Sequence, residues 1–333
     1  MLNLTMQTED PLGVLRSTLS VVQQASHVQL DLEHVEALAS RWAREGWQVP
    51  GWNADLHFND GTWRTVNWML LTDALNFCFW GDPGQPRWAV EYRGEVYNGY
   101  WAETASLLRA LDDGRPLWDA VYLSTLSLAE LNDIFRPAPG ASAIPLLQER
   151  LANAREVGRG LLAKYGGQFT RAVEAAGGSA VSLTRQIVAD FPSFDDRAAY
   201  RGAEVRFYKR AQICVADLHG TLGGQGWGRF DDLDQLTIFA DYKLPQVLRR
   251  EGILRYTPEL TARIARLELL PPGSPEEVEI RAATIWAGEL LRRGLAARGV
   301  QALASEIDYH LWVLSQAPAP DDLPYHRTRT IYY

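Results

Sequence analysis

Apolar positions recur at helical spacing over much of the chain. Val14, Leu15, Leu19 and Val22 share one face of a segment that Asp10-Pro11 opens as N-cap and first helical residue. Asp31 opens a second helix with Val35, Leu38 and Trp42 inward, and the alternating stretch 26–30 between them predicts an extended piece. Residues 45–65, rich in Gly, Asn, Asp and Trp, predict a long ordered loop. Residues 66–80 are apolar almost throughout, so Asn67, Asp73 and Asn76 must find partners in the backbone or in a ligand. Residues 88–92 and 95–97 around Arg93-Gly94 form the one convincing β-hairpin. Residues 100–111 read as helix, and 145–189 as helices parted by Gly166-Gly167 and Gly177-Gly178. A short strand over 204–208 precedes the start of a buried helix over 209–218.

Toward the end, Ser274-Pro275-Glu276-Glu277 reads as N-cap, first helical residue and capping-box acid of a helix that stops at Gly299. A last helix, about 303–315, carries Asp308 and Trp312 four residues apart and so on one face. Pro318, Pro320 and Pro324 then lead into a tail, 325–333, whose three tyrosines and two arginines predict packing against the body. The pattern is mostly α, an α+β chain with a small β-hairpin element.

Size and charge narrow the chemistry. The chain has 333 residues, 47% of them hydrophobic, enough to bury a core without disulfides or metals. A formal net charge of -8 with no basic run argues against a main affinity for long nucleic acid, though not against a single nucleotide. Cys78 and Cys214 both sit in apolar segments, as buried free thiols of a reducing compartment do, and a cytoplasmic location is expected. Residues 1–11 show no basic-then-apolar leader, and no stretch is apolar enough to span a bilayer. His27, His34, His57, His219, His310 and His326 are scattered without ligand spacing, so no metal is expected. Gly223-Gly224-Gln225-Gly226 lacks the lysine of a phosphate loop, and no cofactor is expected.

The chemistry centres on 239–248. Pro245 suits the first turn of a helix that Gly252 ends, which sets Asp241 at or just before its N-terminus. Helix capping is the plain reading of such an aspartate. Lysine usage points further. Of 33 basic residues only Lys164, Lys209 and Lys243 are lysines, and the last two flank aromatic rings, in Phe207-Tyr208-Lys209 and Tyr242-Lys243. An ammonium is a compact point charge suited to a phosphate. Asp241, Glu277, Glu279 and Asp308 are the candidate acids. Carboxylates and a lysine walled by aromatics suit cleavage of a glycosidic bond, where a carboxylate opposes an oxocarbenium-like charge or activates water.

The blocks 75–80, 98–101, 208–212, 239–246, 277–281 and the tail from His326-Arg327 to Ile331-Tyr332-Tyr333 resemble, in order, the queuosine salvage protein family. The resemblance runs from about residue 10 to the last. It implies one domain over 1–333, with an N-terminal lobe (about 1–140) on a helical C-terminal lobe (about 141–333), and a core similar to helical DNA glycosylases. It also implies hydrolysis of queuosine 5′-monophosphate to free queuine, a base reused in tRNA modification. Asp241 matches the catalytic aspartate and Lys209 a substrate-binding lysine, while Lys243 and Cys78 depart from the family pattern. Phe77, Trp80 or Tyr242 would stack on the base, Asp73 or Asn76 would read its edge, and His27, Lys243, Glu279 and Asp308 complete the candidate substrate contacts. A monomer acting on a small nucleotide, with no stable nucleic-acid complex and no membrane, is the expectation. Two other readings stand beside it. One is a glycosylase-like protein acting on a base within tRNA or DNA, with Arg249, Arg250, Arg327 and Arg329 as its basic groove. The other is a queuine-binding protein without catalysis.

Overall fold

A computed structural model of the chain describes residues 2–51, 53–317, 319 and 322–333; Pro318 and Pro320 of the predicted linker lie outside the described residues. In chain order the elements begin with α1 (Val14–Gln24), β1 (Val28–Leu30), α2 (Leu32–Glu45), a 3₁₀ turn (Ala54–Leu56) and α3 (Trp63–Leu75). The hairpin β2 (Ala89–Tyr92) and β3 (Glu95–Asn98) precedes α4 (Gly99–Asp112), α5 (Ala120–Thr125), α6 (Leu128–Ile134) and α7 (Leu147–Tyr165). Then come α8 (Thr170–Ala175), α9 (Ala180–Asp190), β4 (Arg197–Tyr200), β5 (Ala203–Arg206) and α10 (Lys209–Thr221). The chain closes with α11 (Leu244–Arg250), β6 (Leu254–Tyr256), α12 (Pro258–Ala265), α13 (Pro275–Ala296) and α14 (Ala304–Gln316). The expected class, mostly α with small β elements, is what forms: each described sheet is an antiparallel pair, β1 with β6, β2 with β3 and β4 with β5.

Two compact units share the chain. The first comprises Met1–Gly51, Asp196–Gln212 and Asp232–Arg329. Its centre is α13, where residues from Val278 to Leu291 are buried on every side, so the helix has no solvent face over that length. Helices α1, α2, α11 and α14 and strand β1 pack around it. Gly288 is where Ile238 lies against α13. A Cβ there would meet Ile238 side-chain carbons at 2.5 Å. Gly288→Ala is therefore expected to destabilise the protein by about 1–3 kcal/mol through overpacking, despite alanine's better helix propensity, and a thermal or urea melt reads it.

Two helix starts in this unit differ from the sequence expectation. Helix α1 begins at Val14 behind Gly13, which takes a left-handed φ of 74°. Asp10 serves it from further out, its carboxylate accepting the backbone N–H groups of Leu15 (3.2 Å) and Arg16 (2.7 Å). The buried face is accordingly Val14, Leu15, Thr18 and Val21, with Leu19 and Val22 only half-buried. At α13 Ser274 is the N-cap, but the Glu277 carboxylate reaches back to the Gly273 N–H at 3.1 Å rather than to the cap residue's own. The sequence pattern misses α5, α6, β6, α12 and strand β4. The β4 hairpin turns on Arg201-Gly202, with φ of 50° and 82°, the same turn as Arg93-Gly94 with 50° and 84°. An Arg in the first position hides a turn more readily read from Asn-Gly or Asp-Gly.

The second unit comprises Trp52–Asp195, Ile213–Asp231 and Thr330–Tyr333. Helix α3 is buried all round and packs on α4, α7 and α8. It starts inside the predicted loop because Thr62 caps it through the Arg64 N–H. Asn67 spends its amide on backbone: it donates to the Trp118 and Gly167 carbonyls (2.9 and 2.8 Å) and accepts from the Phe169 N–H at 2.7 Å. The tail ends here, with the buried Tyr333 carbonyl accepting the Cys78 N–H at 3.0 Å. Among the described residues no helix is long and apolar enough to cross a membrane, and no three His, Cys, Asp or Glu side chains group as metal ligands do.

Candidate active site

In the first unit the irregular segment 237–241 ends at Asp241, and a bend at Tyr242-Lys243 leads into α11. Pro245 occupies the first turn of α11, where a missing N–H costs nothing. Asp241 Oδ1 accepts the N–H groups of Lys243 (2.7 Å) and Leu244 (2.8 Å), so the capping role read from sequence is real. Both bonds fall on one oxygen. Oδ2 of this half-buried residue stays outside them. Burial pushes the Asp241 carboxyl above the usual aspartate range, although the Lys209 ammonium, the two N–H groups and Lys243 draw it down. Desolvation dominates.

Lys209 is the first residue of α10 and is buried. Tyr208 before it has a φ of 50°, uncommon for a residue with a Cβ. The Asp196 carbonyl accepts the N–H groups of Phe207 (3.0 Å) and Tyr208 (3.2 Å), and its carboxylate accepts that of Lys209 at 3.3 Å. Arg281, on α13, forks onto Asp196, Nη1 to Oδ1 at 2.9 Å and Nη2 to Oδ2 at 2.5 Å. Its Nε–H donates to the Ala240 carbonyl at 3.3 Å, and its guanidinium lies 3.9 Å from the Phe207 ring centroid. Gln212 ties the same two stretches one turn further along α10. It donates to the Phe207 carbonyl (2.9 Å) and accepts the Thr237 N–H (2.9 Å). Asp308, from α14, accepts the Phe239 N–H at 2.7 Å. The backbone around Asp241 and Lys209 is thus held from three helices. A carboxylate held by two backbone N–H groups lies within the field of the ammonium of a lysine whose backbone is itself held.

Aromatic groups edge this pair. Tyr242 and Tyr325 lie with ring centroids 4.9 Å apart, and the Lys243 ammonium sits 5.4 Å from the Tyr325 centroid. The buried His326 that follows is held far below the ordinary histidine range, at about 3, by burial first and then by the charges of Arg281 and Arg249. It is a neutral imidazole at any physiological pH.

A family model for the queuosine salvage protein matches residues 56–333. The chain belongs to the queuosine salvage protein family. Among its relatives, the queuosine 5′-phosphate N-glycosylase/hydrolase of Sphaerobacter thermophilus is 52% identical over 324 residues, spanning 97% of this chain and 98% of its own. Proteins of the same name from Mus musculus and Schizosaccharomyces pombe are 40% identical over 336 residues and 34% identical over 346. They cover 97% and 94% of this chain and 99% of each relative.

In this member of the family the candidate residues divide between the two units. Asp241, Lys209, Tyr242, Lys243, Glu279, Asp308 and His27 belong to the first, and Asp73, Asn76, Phe77 and Trp80 to the second. Glu279 is occupied by the fold. Its Oε2 accepts the N–H groups of Ser26 (3.0 Å), His27 (2.6 Å) and Val28 (3.1 Å), and its Oε1 accepts the Tyr200 hydroxyl at 2.8 Å. Four donors match the capacity of a carboxylate. Glu279 thereby pins the half-buried His27 at the entry to β1.

In the second unit the fully buried Asp73 faces Cys214 of α10, and Asp217 of the same helix also acts on that thiol. Burial first, then both carboxylates, push the Cys214 thiol well above its ordinary range, so it is no nucleophile. The turn Asn76-Phe77-Cys78 is cradled by α7. Arg150 donates to the Leu75, Phe77 and Cys78 carbonyls with its guanidinium 4.2 Å from the Phe77 centroid, while Asn153 donates to the Ala74 carbonyl at 2.9 Å. Phe77 and Trp80 are buried alongside. Sequence reading passed over Asp196, Arg281 and Gln212. The available signal for Arg281 was a cation inside the run Ile280, Ala282, Ala283, Ile285, which an apolar helix core does not accept unpaired.

Proposed function

We propose that the chain hydrolyses the N-glycosidic bond of queuosine 5′-phosphate, as its relatives' names state for them, with Asp241 as the catalytic carboxylate. Water adds at C1′, the bond to the base breaks, and queuine and ribose 5-phosphate leave. The observation that carries the reading is the pairing of Asp241, one oxygen committed to backbone and one outside those bonds, with the Lys209 ammonium beside it. Oδ2 opposes the positive charge developing at C1′ and orients the water, while Lys209 holds the 5′-phosphate so that remote binding energy positions the sugar. Lys243 adds to the phosphate field, Tyr242 offers a ring face, and His27 and Asp308 complete the sugar's surroundings. A 7-deazaguanine has no nitrogen at position 7 to protonate, so help for the leaving group comes from donors at its other polar atoms. The net charge of -8 favours the free nucleotide over the base within tRNA.

The test is to incubate the protein with queuosine 5′-monophosphate and follow queuine and ribose 5-phosphate by chromatography. Equal amounts of both products are expected. Tight binding with neither product formed would favour a carrier of the base.

The carboxylate role also fixes the sign of the pH dependence. The working form is ionised, and burial raises the carboxyl of Asp241 above the ordinary range. The rate therefore falls as pH drops through that raised value, and the acid limb of kcat/KM lies nearer neutrality than a solvent-exposed aspartate would place it. A limb at the ordinary aspartate position would assign the base role to another group.

A further inference from the structure

Asp241 and Lys209 lie 32 positions apart in the sequence, at the ends of two irregular stretches, yet the proposed hydrolysis requires one separation between their charges. Loops hold such a distance poorly unless something rigid fixes both. Arg281 is rigid by placement. It projects from a helix buried on every side and is itself 2% exposed, and Asp196 is 1% exposed. The pair reaches both stretches at once. Arg281 Nε–H holds the carbonyl of Ala240, the residue before Asp241, and Asp196 Oδ2 holds the backbone N–H of Lys209. The Asp196 carbonyl fixes the left-handed Tyr208 turn, and the guanidinium covers the Phe207 ring.

We infer that the Arg281–Asp196 pair is a positioning element of the reaction, setting the register of the Lys209 arm against the Asp241 arm. The inference rests on the hydrolase reading and goes beyond it, because neither residue touches the reacting atoms. Stability alone does not call for this arrangement. A buried ion pair is often replaceable by apolar residues of like volume at no loss. Such residues offer neither a donor to the Ala240 carbonyl nor an acceptor to the Lys209 N–H. The charges acting most strongly on Asp241 are those of Lys209 and Lys243. Lost register therefore shows as a change in the ionisation of Asp241 itself.

The decisive variant is Arg281→Met with Asp196→Leu, which fills the space without the fork. Expected is a folded protein whose kcat falls on the order of 100-fold, the usual cost of an ångström-scale misplacement. Its acid limb moves to higher pH, because Lys209 no longer sits to draw the carboxyl down. NMR titration of the Asp241 carboxyl should show the same upward shift without substrate. Glu289→Gln is the control. It breaks pairs with Arg292 and Arg293 on the same helix but touches neither arm, and should leave kcat and profile in place. Should the double variant not fold, Arg281→Lys keeps a charge on Asp196 without the fork and should give a smaller shift of the same sign. A folded variant with an unmoved Asp241 titration overturns the inference, whatever its activity. Failure of the wild type to release queuine would instead remove the hydrolase reading, and the titration would still decide whether the pair sets the register.

Discussion

Asp241→Asn lowers kcat for queuine release by about 10²–10⁴-fold, the range for removing a positioned acid–base group, and changes substrate affinity little. The expectation rests on asparagine keeping what Asp241 does for the fold. Its amide oxygen accepts the same N–H groups of Lys243 and Leu244, so α11 still starts in the same place. Only the charge goes. Single-turnover release with circular dichroism on the same samples measures the loss, and near-normal release by the variant would take Asp241 out of the mechanism. Stability should move the other way. Because burial raises the folded-state carboxyl above its unfolded value, ionisation penalises the folded state, and stability falls as pH rises through that window. At pH 7 the asparagine variant should therefore melt above the wild type, and the gap should close as pH falls to the ordinary aspartate range. Asp241→Ala forfeits both capping bonds and should lose about 0.5–2 kcal/mol instead.

Lys209→Met should cost about 10- to 150-fold in kcat/KM for queuosine 5′-monophosphate, from loss of a charge-assisted contact worth about 1.5–3 kcal/mol. Two further readouts separate its roles. If Lys209 serves the phosphate, the nucleoside queuosine, which lacks that group, is turned over by variant and wild type at comparable rates. The acid limb should also move to higher pH, because Lys209 is the strongest of the influences holding the Asp241 carboxyl down. Lys243→Met should do both more weakly, being the least of those influences. Equal losses on nucleotide and nucleoside would place the lysine's work at Asp241 and not at the phosphate.

What could be read from the sequence followed from how local each signal was. The capping of α2 by Asp31, the glycine-parted helices α7, α8 and α9, and the Pro245 turn beside Asp241 are set by neighbours within a few residues, and they form as expected. The packing of the tail against the body was legible from composition, since Tyr333, His326 and Thr328 are buried. Partners chosen across long separations were not. Nothing near Glu279 says that three backbone N–H groups some 250 positions away will fill it, and it reads as a free acid until the fold is known. Asp196 and Arg281 are 85 positions apart, and each alone resembles a surface charge. Asp241 and Lys209 each stood out in a local setting, a proline-started helix and a lysine-poor chain, but only the family resemblance put them in one site.

The order in which the first unit is assembled along the chain bears on how the protein is made. Helix α1 packs on α13, and β1 pairs with β6, so the N-terminal elements find their partners more than 220 residues later. At ribosomal rates of about 5–20 residues per second, Val14, Leu15 and Val21 wait on the order of tens of seconds before the helix that covers them exists. Such non-local closure also folds slowly once the chain is complete. Nascent chains of this protein therefore expose apolar helix faces for most of their synthesis, and its yield in a cell should depend on holdase chaperones more than its finished stability suggests.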